Sequence, residues 1–154
     1  SATAFHASYG KNPSFDFDDT DNGSPAMLGS FGPNSGLTNT GEMVMLFHWD
    51  GVSELVSDID YVLFGNTSNA VDKTGIMVGQ STYASDTAAF NQIPAKKPDT
   101  NKSLHRCDTA ESSETKSGGN GKSGHDETSE DNLAAWKLTA GGSPLAPPEK
   151  KICP

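Results

Sequence analysis

The chain is short of the residues that build a large core. Apolar side chains make up 33% of its 154 residues and aromatics 8%, so it holds one domain with a thin interior and much loop. No apolar run reaches the length of a membrane helix, and no long helical period appears. Short apolar runs separated by turn residues, with sixteen glycines and nine prolines, favour an all-β architecture. Basic residues are nearly missing from the first sixty positions, where Lys11 stands alone against nine acids. Such a surface repels phosphate backbones, which argues against nucleic acid as a partner and suits cations or plain solubility. The opening SATAFHASYG has neither the basic start nor the apolar stretch of a secretion signal, and no initiator Met, so a processed or truncated product is expected.

Cysteine is limited to Cys107 and Cys153. An even pair in a small, acidic, loop-rich chain is typical of secreted proteins and predicts either a bridge tying the tail (residues 149–154) to the body or two free thiols.

What is present is a hairpin signal. EMVMLFHWDGVSELVSDIDYVLFGN predicts a strand over residues 43–49, a turn at Asp50-Gly51 and a strand over about 55–64. The first is apolar at nearly every position, as a central, covered strand would be. In the second, Asp58 and Asp60 share a face, where a cation, Lys73 or solvent must relieve their repulsion; solvent is the simplest choice. Weaker strands are expected at 75–83, 103–107 and 133–139, the last burying Trp136. Residues 1–41 read as loop, with an acidic segment over 1–27.

Ordered motifs then stand out: GLTNTGEMVMLFHWDG leading into DIDYVLFGN, then SLHRCD, a polar stretch, and NLAAWKLTAGGSPLAPP. Residues 37–46, 103–106 and 136–144 resemble the lamin tail domain, as found in secreted bacterial proteins of myxobacterial type, over roughly residues 28–148. The resemblance implies an immunoglobulin-like β-sandwich with long polar loops. It also implies an accessory module with no shared catalytic residues, located outside the cell or at its surface. Two opening strands usual in that family have no counterpart here. Their absence implies an exposed sheet edge that another protein chain supplies or covers.

Two acidic stretches are candidate cation sites. GGNGKSGHDETSED, residues 118–131, offers Asp126, Glu127, Glu130 and Asp131 on glycine-rich backbone, a composition compatible with calcium but without EF-hand spacing. The other reading is a solvated connector whose side chains cap turns. DFDDTDNG contributes Asp16, Asp18, Asp19 and Asp21 with the same two readings. A metal-dependent hydrolase using His125, Asp126 and Glu130 needs a distant histidine such as His105 to join the loop. No nucleophile elbow and no P-loop is present. The expectation is a non-catalytic binding or structural module, possible calcium included. A surface-filament subunit completed by a neighbour's strands is the second reading, and the hydrolase the third.

Overall fold

A computed structural model describes residues 2–12, 16–17, 26–27, 37–38, 40–107 and 112–140. The described residues fall into two compact units, one running up to Leu37 and the other starting at Thr38.

In the first unit α1 spans Ala2–Tyr9, where loop was expected. Its eight residues hold no proline or glycine and three alanines. It stops at Gly10, whose φ of 73° suits the left-handed residue past a helix end, and whose N–H donates to the His6 carbonyl at 2.7 Å. Eight residues are too few for a periodic signal to stand out. Strands β1 (Asp16–Phe17) and β2 (Ala26–Met27) pair in parallel.

The second unit is β-rich, built from small antiparallel sheets with little helix. Strand β3 (Glu42–His48) pairs with β4 (Ser57–Phe64), β5 (Met77–Val78) with β6 (Ser81–Thr82), and β7 (Lys102–Arg106) with β8 (Trp136–Ala140). The predicted single strand over 75–83 is thus a tight hairpin. Gly79, at φ 60°, takes the left-handed position of its two-residue turn, and the Glu54 carboxylate accepts the Gln80 N–H at 2.8 Å. The last predicted strand starts later than expected. Asp131 accepts the Ala134 N–H at 3.0 Å and caps a single helical turn, α2 (Asn132–Ala135), before β8 begins.

Burial within the unit is unusual in kind. Tyr61, Leu63, Phe64, Ala95 and Ala135 are the buried apolar residues described, against ten polar or charged ones. Leu63, with no exposed surface, contributes about 1.5–3 kcal/mol relative to an exposed leucine. The remainder of the interior rests on polar groups, which stabilise only when their hydrogen bonds are complete.

Strand β3 departs from its expected central place. Among the described residues only β4 pairs with it, and Val44, Leu46 and Phe47 are 43%, 57% and 56% exposed. An apolar run signals what a strand could bury without saying whether anything lies over it. The opposite edge of β4 is covered. Ala95 exchanges bonds with Leu63 and Gly65, and residues 120–122 bracket Asp58: its N–H donates to the Asn120 carbonyl at 2.8 Å and its carbonyl accepts from Lys122 at 2.7 Å.

Candidate functional site

Two carboxylates and one ammonium meet where β4 begins. The register explains how they arrive. Phe47 lies opposite Asp58 and Leu46 opposite Asp60, so Ile59 is the extra residue of a bulge. The bulge sends the two acids to different cations. Asp58, only 1% exposed, meets Lys73, while Asp60 meets Arg106. The expectation of solvent at Asp58 is therefore corrected, and Lys73 is its partner.

Lys73 Nζ lies 2.8 Å from Asp58 Oδ2 and 2.8 Å from Asp86 Oδ2. Asp86 is held on both oxygens. Its Oδ2 also accepts the Lys73 backbone N–H at 2.8 Å, and Oδ1 accepts Asn120 Nδ2 at 2.6 Å. Asp58 is held on one, and its Oδ1 is buried with no hydrogen-bond partner. The Tyr83 ring lies 5.9 Å from the ammonium. Burial pushes the Asp58 carboxyl up, only partly opposed by Lys73; burial also acts against the Lys73 ammonium, but its two carboxylate partners outweigh it and raise its pKa. The pocket accepts one positive charge readily and resists the second negative one.

Loop 118–131 wraps this centre. The Cβ of any other residue at position 121 would run into the His125 carbonyl, so glycine is required there for space. Asp126, 3% exposed, accepts from the Thr128 N–H and hydroxyl at 3.1 and 2.6 Å and from the Thr87 hydroxyl at 2.7 Å. Glu130, 1% exposed, accepts Arg106 Nη2 at 2.9 Å, and the Arg106 guanidinium stacks 5.6 Å from the Trp136 ring. Glu127 is buried and Asp131 caps α2. Residues 126–130 of the loop are thus packed into the unit rather than solvated, with Asp126 and Asp131 capping turns there. Among the described residues no three His, Cys, Asp or Glu side chains are grouped to hold a metal ion, and the Asp126 and Glu130 carboxylates already accept from Thr87, Thr128 and Arg106. Calcium addition and EDTA are expected to leave thermal unfolding unmoved. A rise with calcium that Asp126→Asn abolishes would overturn this.

The histidines stay apart. His125 Nδ1 faces the buried Glu114 carboxylate at 3.7 Å, whereas His105 Nε2 lies 3.1 Å from Ser103 Oγ on its own strand. Asp18, Asp19, Asp21, Cys153 and the side chain of Asp16 lie outside the described residues. The bridge expected of Cys107 would reach Cys153, outside the described residues. Sequence reading missed Asp86, Thr87, Gln92 and Asn132, all buried polar residues. Nothing but long-range pairing identifies them.

Gln92 closes the centre from below. Its amide donates to the Val71 and Thr87 carbonyls at 2.6 and 2.8 Å, and its oxygen accepts the Tyr61 hydroxyl at 2.9 Å. Burial is the main cause that lifts the Tyr61 pKa from 10.0 to about 12, with Asp86 adding to it. A raised folded pKa means that this contribution is whole below pH 10 and is lost as pH rises towards 12. Stability is expected to fall by roughly 2–3 kcal/mol across that window from this residue. Urea unfolding in a pH series checks it: Tyr61→Phe should flatten the alkaline fall.

Comparison with family models, curated proteins and solved structures found no match.

No helix among the described residues is long and apolar enough to cross a membrane.

Proposed function

We infer that this chain is a non-catalytic binding or structural module that acts outside the cell by engaging another protein chain through β3. The observation that carries the reading is a strand with one edge unpaired among the described residues and apolar side chains on display: Val44, Leu46 and Phe47, continued by Trp49 at 58% and Val52 at 89% exposure. Open edges recruit strands, and aromatic and aliphatic side chains beside them supply the anchoring contacts. The hairpin's own loop is built to keep its shape. Asp50 accepts the Val52 and Ser53 N–H groups at 2.9 and 2.7 Å, and Trp49 Nε1 donates to the Ser53 carbonyl at 2.7 Å.

The finer architecture belongs to the same proposal. The pairs β3–β4 and β7–β8 coincide with the stretches that resemble the lamin tail domain, and Arg106 of β7 reaches Asp60 of β4. An immunoglobulin-like sandwich wants about seven strands, and incoming strands beside β3 would extend the set. A Cys107–Cys153 bridge, formed in an oxidising compartment, completes the picture.

The test is a photo-crosslinking amino acid at position 46 in the full chain, expressed in its native host. The expected product is an adduct with a second polypeptide, lost when Met45→Pro spoils the edge. Only intrachain adducts, with this chain's own residues on β3, would sink the reading.

A further inference from the structure

The Lys73 centre is a buried ion pair whose two acids are held unequally, one of them with an oxygen left without a donor. We propose that Lys73 and Asp58 become joined by an amide bond, Nζ condensing with Cγ and releasing one water, with Asp86 relaying the proton.

The two acids differ in how they are held, and the difference assigns the roles. Asp86 is anchored on both oxygens, by the Lys73 ammonium and backbone N–H and by Asn120. Asp58 touches the lysine through Oδ2 alone, and its other oxygen is buried without a donor, so nothing but Lys73 stabilises its charge. Environments that separate two like acids in this way divide acid from base work between them. Passing one ammonium proton to Asp58 leaves a neutral amine against a neutral carboxylic acid, a transfer that burial of Asp58 favours and the two carboxylates around Lys73 oppose.

Attack of the amine lone pair on Cγ forms the C–N bond. Asp86 takes a proton from the nitrogen and returns it to the Asp58 hydroxyl, which departs as water when the C–O bond breaks. Atoms balance without an oxidant or any co-reactant. The ammonium and the Asp58 carboxylate are consumed, and of the three starting charges only that of Asp86 remains. Two features drive the condensation forward. Contact at 2.8 Å, held by elements packed from both sides, gives the amine an effective concentration that in oriented systems is on the order of 10⁵–10⁸ M. With Asp58 1% and Lys73 12% exposed, water for the reverse hydrolysis is largely shut out. The bond would close the stretch between residues 58 and 73 and so restrict the unfolded chain.

The experiment is the intact mass of the freshly purified full chain after reduction and alkylation, followed by peptide mapping. The expected result is a mass one water below that of the sequence, with a branched peptide joining residues 58 and 73. Lys73→Arg, which keeps the charge, and Asp86→Asn should both show the full mass. Wild-type protein at full mass overturns the proposal without recourse to any variant. So does a water loss that persists in Lys73→Arg, or one that maps to Asp50-Gly51, where cyclisation of the aspartate onto the glycine N–H also expels water.

Discussion

Relative to the ion-paired protein, before any amide bond joins Lys73 to Asp58, Lys73→Met is expected to lower stability by about 3–5 kcal/mol, the range found when one member of a buried charge pair is removed. The loss follows from what stays behind. Asp58 and Asp86 have side chains 1% and 0% exposed, and without the ammonium Asp86 keeps the backbone N–H of residue 73 and the Asn120 amide as donors while Asp58 keeps none of its side-chain bonds. A domain of this size has some 5–15 kcal/mol in total, so thermal unfolding should shift by tens of degrees at about 4–8 °C per kcal/mol. The pH dependence separates this cause from a packing loss. Stranded acids have folded pKa values above their unfolded ones, so the folded state binds the extra protons and stability returns as pH falls. The variant should therefore regain part of its stability between pH 7 and 5, where a mere packing defect around the new side chain would give no recovery. Urea titrations at the two pH values decide it.

Arg106→Met is the second large effect, also about 3–5 kcal/mol. Arg106 serves Asp60 and Glu130 at once and lies over Trp136. Of its two acids, Asp60 is about a third exposed and returns to water at little cost, so Glu130, 1% exposed, accounts for most of the loss. The double variant Arg106→Met, Glu130→Met, of similar volume and without charge, should recover most of the stability. A double variant no better than the single one would show that Glu130 is not the stranded partner. The coupling between the two positions is read directly from that cycle.

The hairpin was legible in sequence because its signals are local. Alternation from Asp58 to Leu63 placed β4, with its expected start two residues early, and the apolar run placed β3. The two-residue turn at Gly79-Gln80 and the Asp131 cap also carry local signals, but each lies inside a stretch whose apolar pattern reads through as one strand. The centre was not legible. Lys73 finds Asp58 fifteen positions away and Asp86 thirteen, and Thr87 finds Asp126 thirty-nine away. Composition also misleads there. Asp and Glu belong on surfaces unless paired, so a glycine-rich acidic loop reads as solvent-facing or metal-binding. In this chain its acids cap turns inside the unit and meet an arginine from β7. Burial of a carboxylate depends on where its partner comes from, and that information lies in the topology.

One consequence concerns growth. The far edge of β4 is occupied by Ala95 and residues 120–122, which among the described residues leaves β3 as the side on which this sheet can add a strand. A unit with one sticky side and one blunt side terminates at the first docking event. Two copies meeting β3 to β3 would close a four-stranded sheet about a twofold axis, and a strand donated by a different polypeptide would likewise leave no template behind it. Edge-to-edge stacking through this hairpin is therefore self-limiting, and an endless fibre would need a second surface.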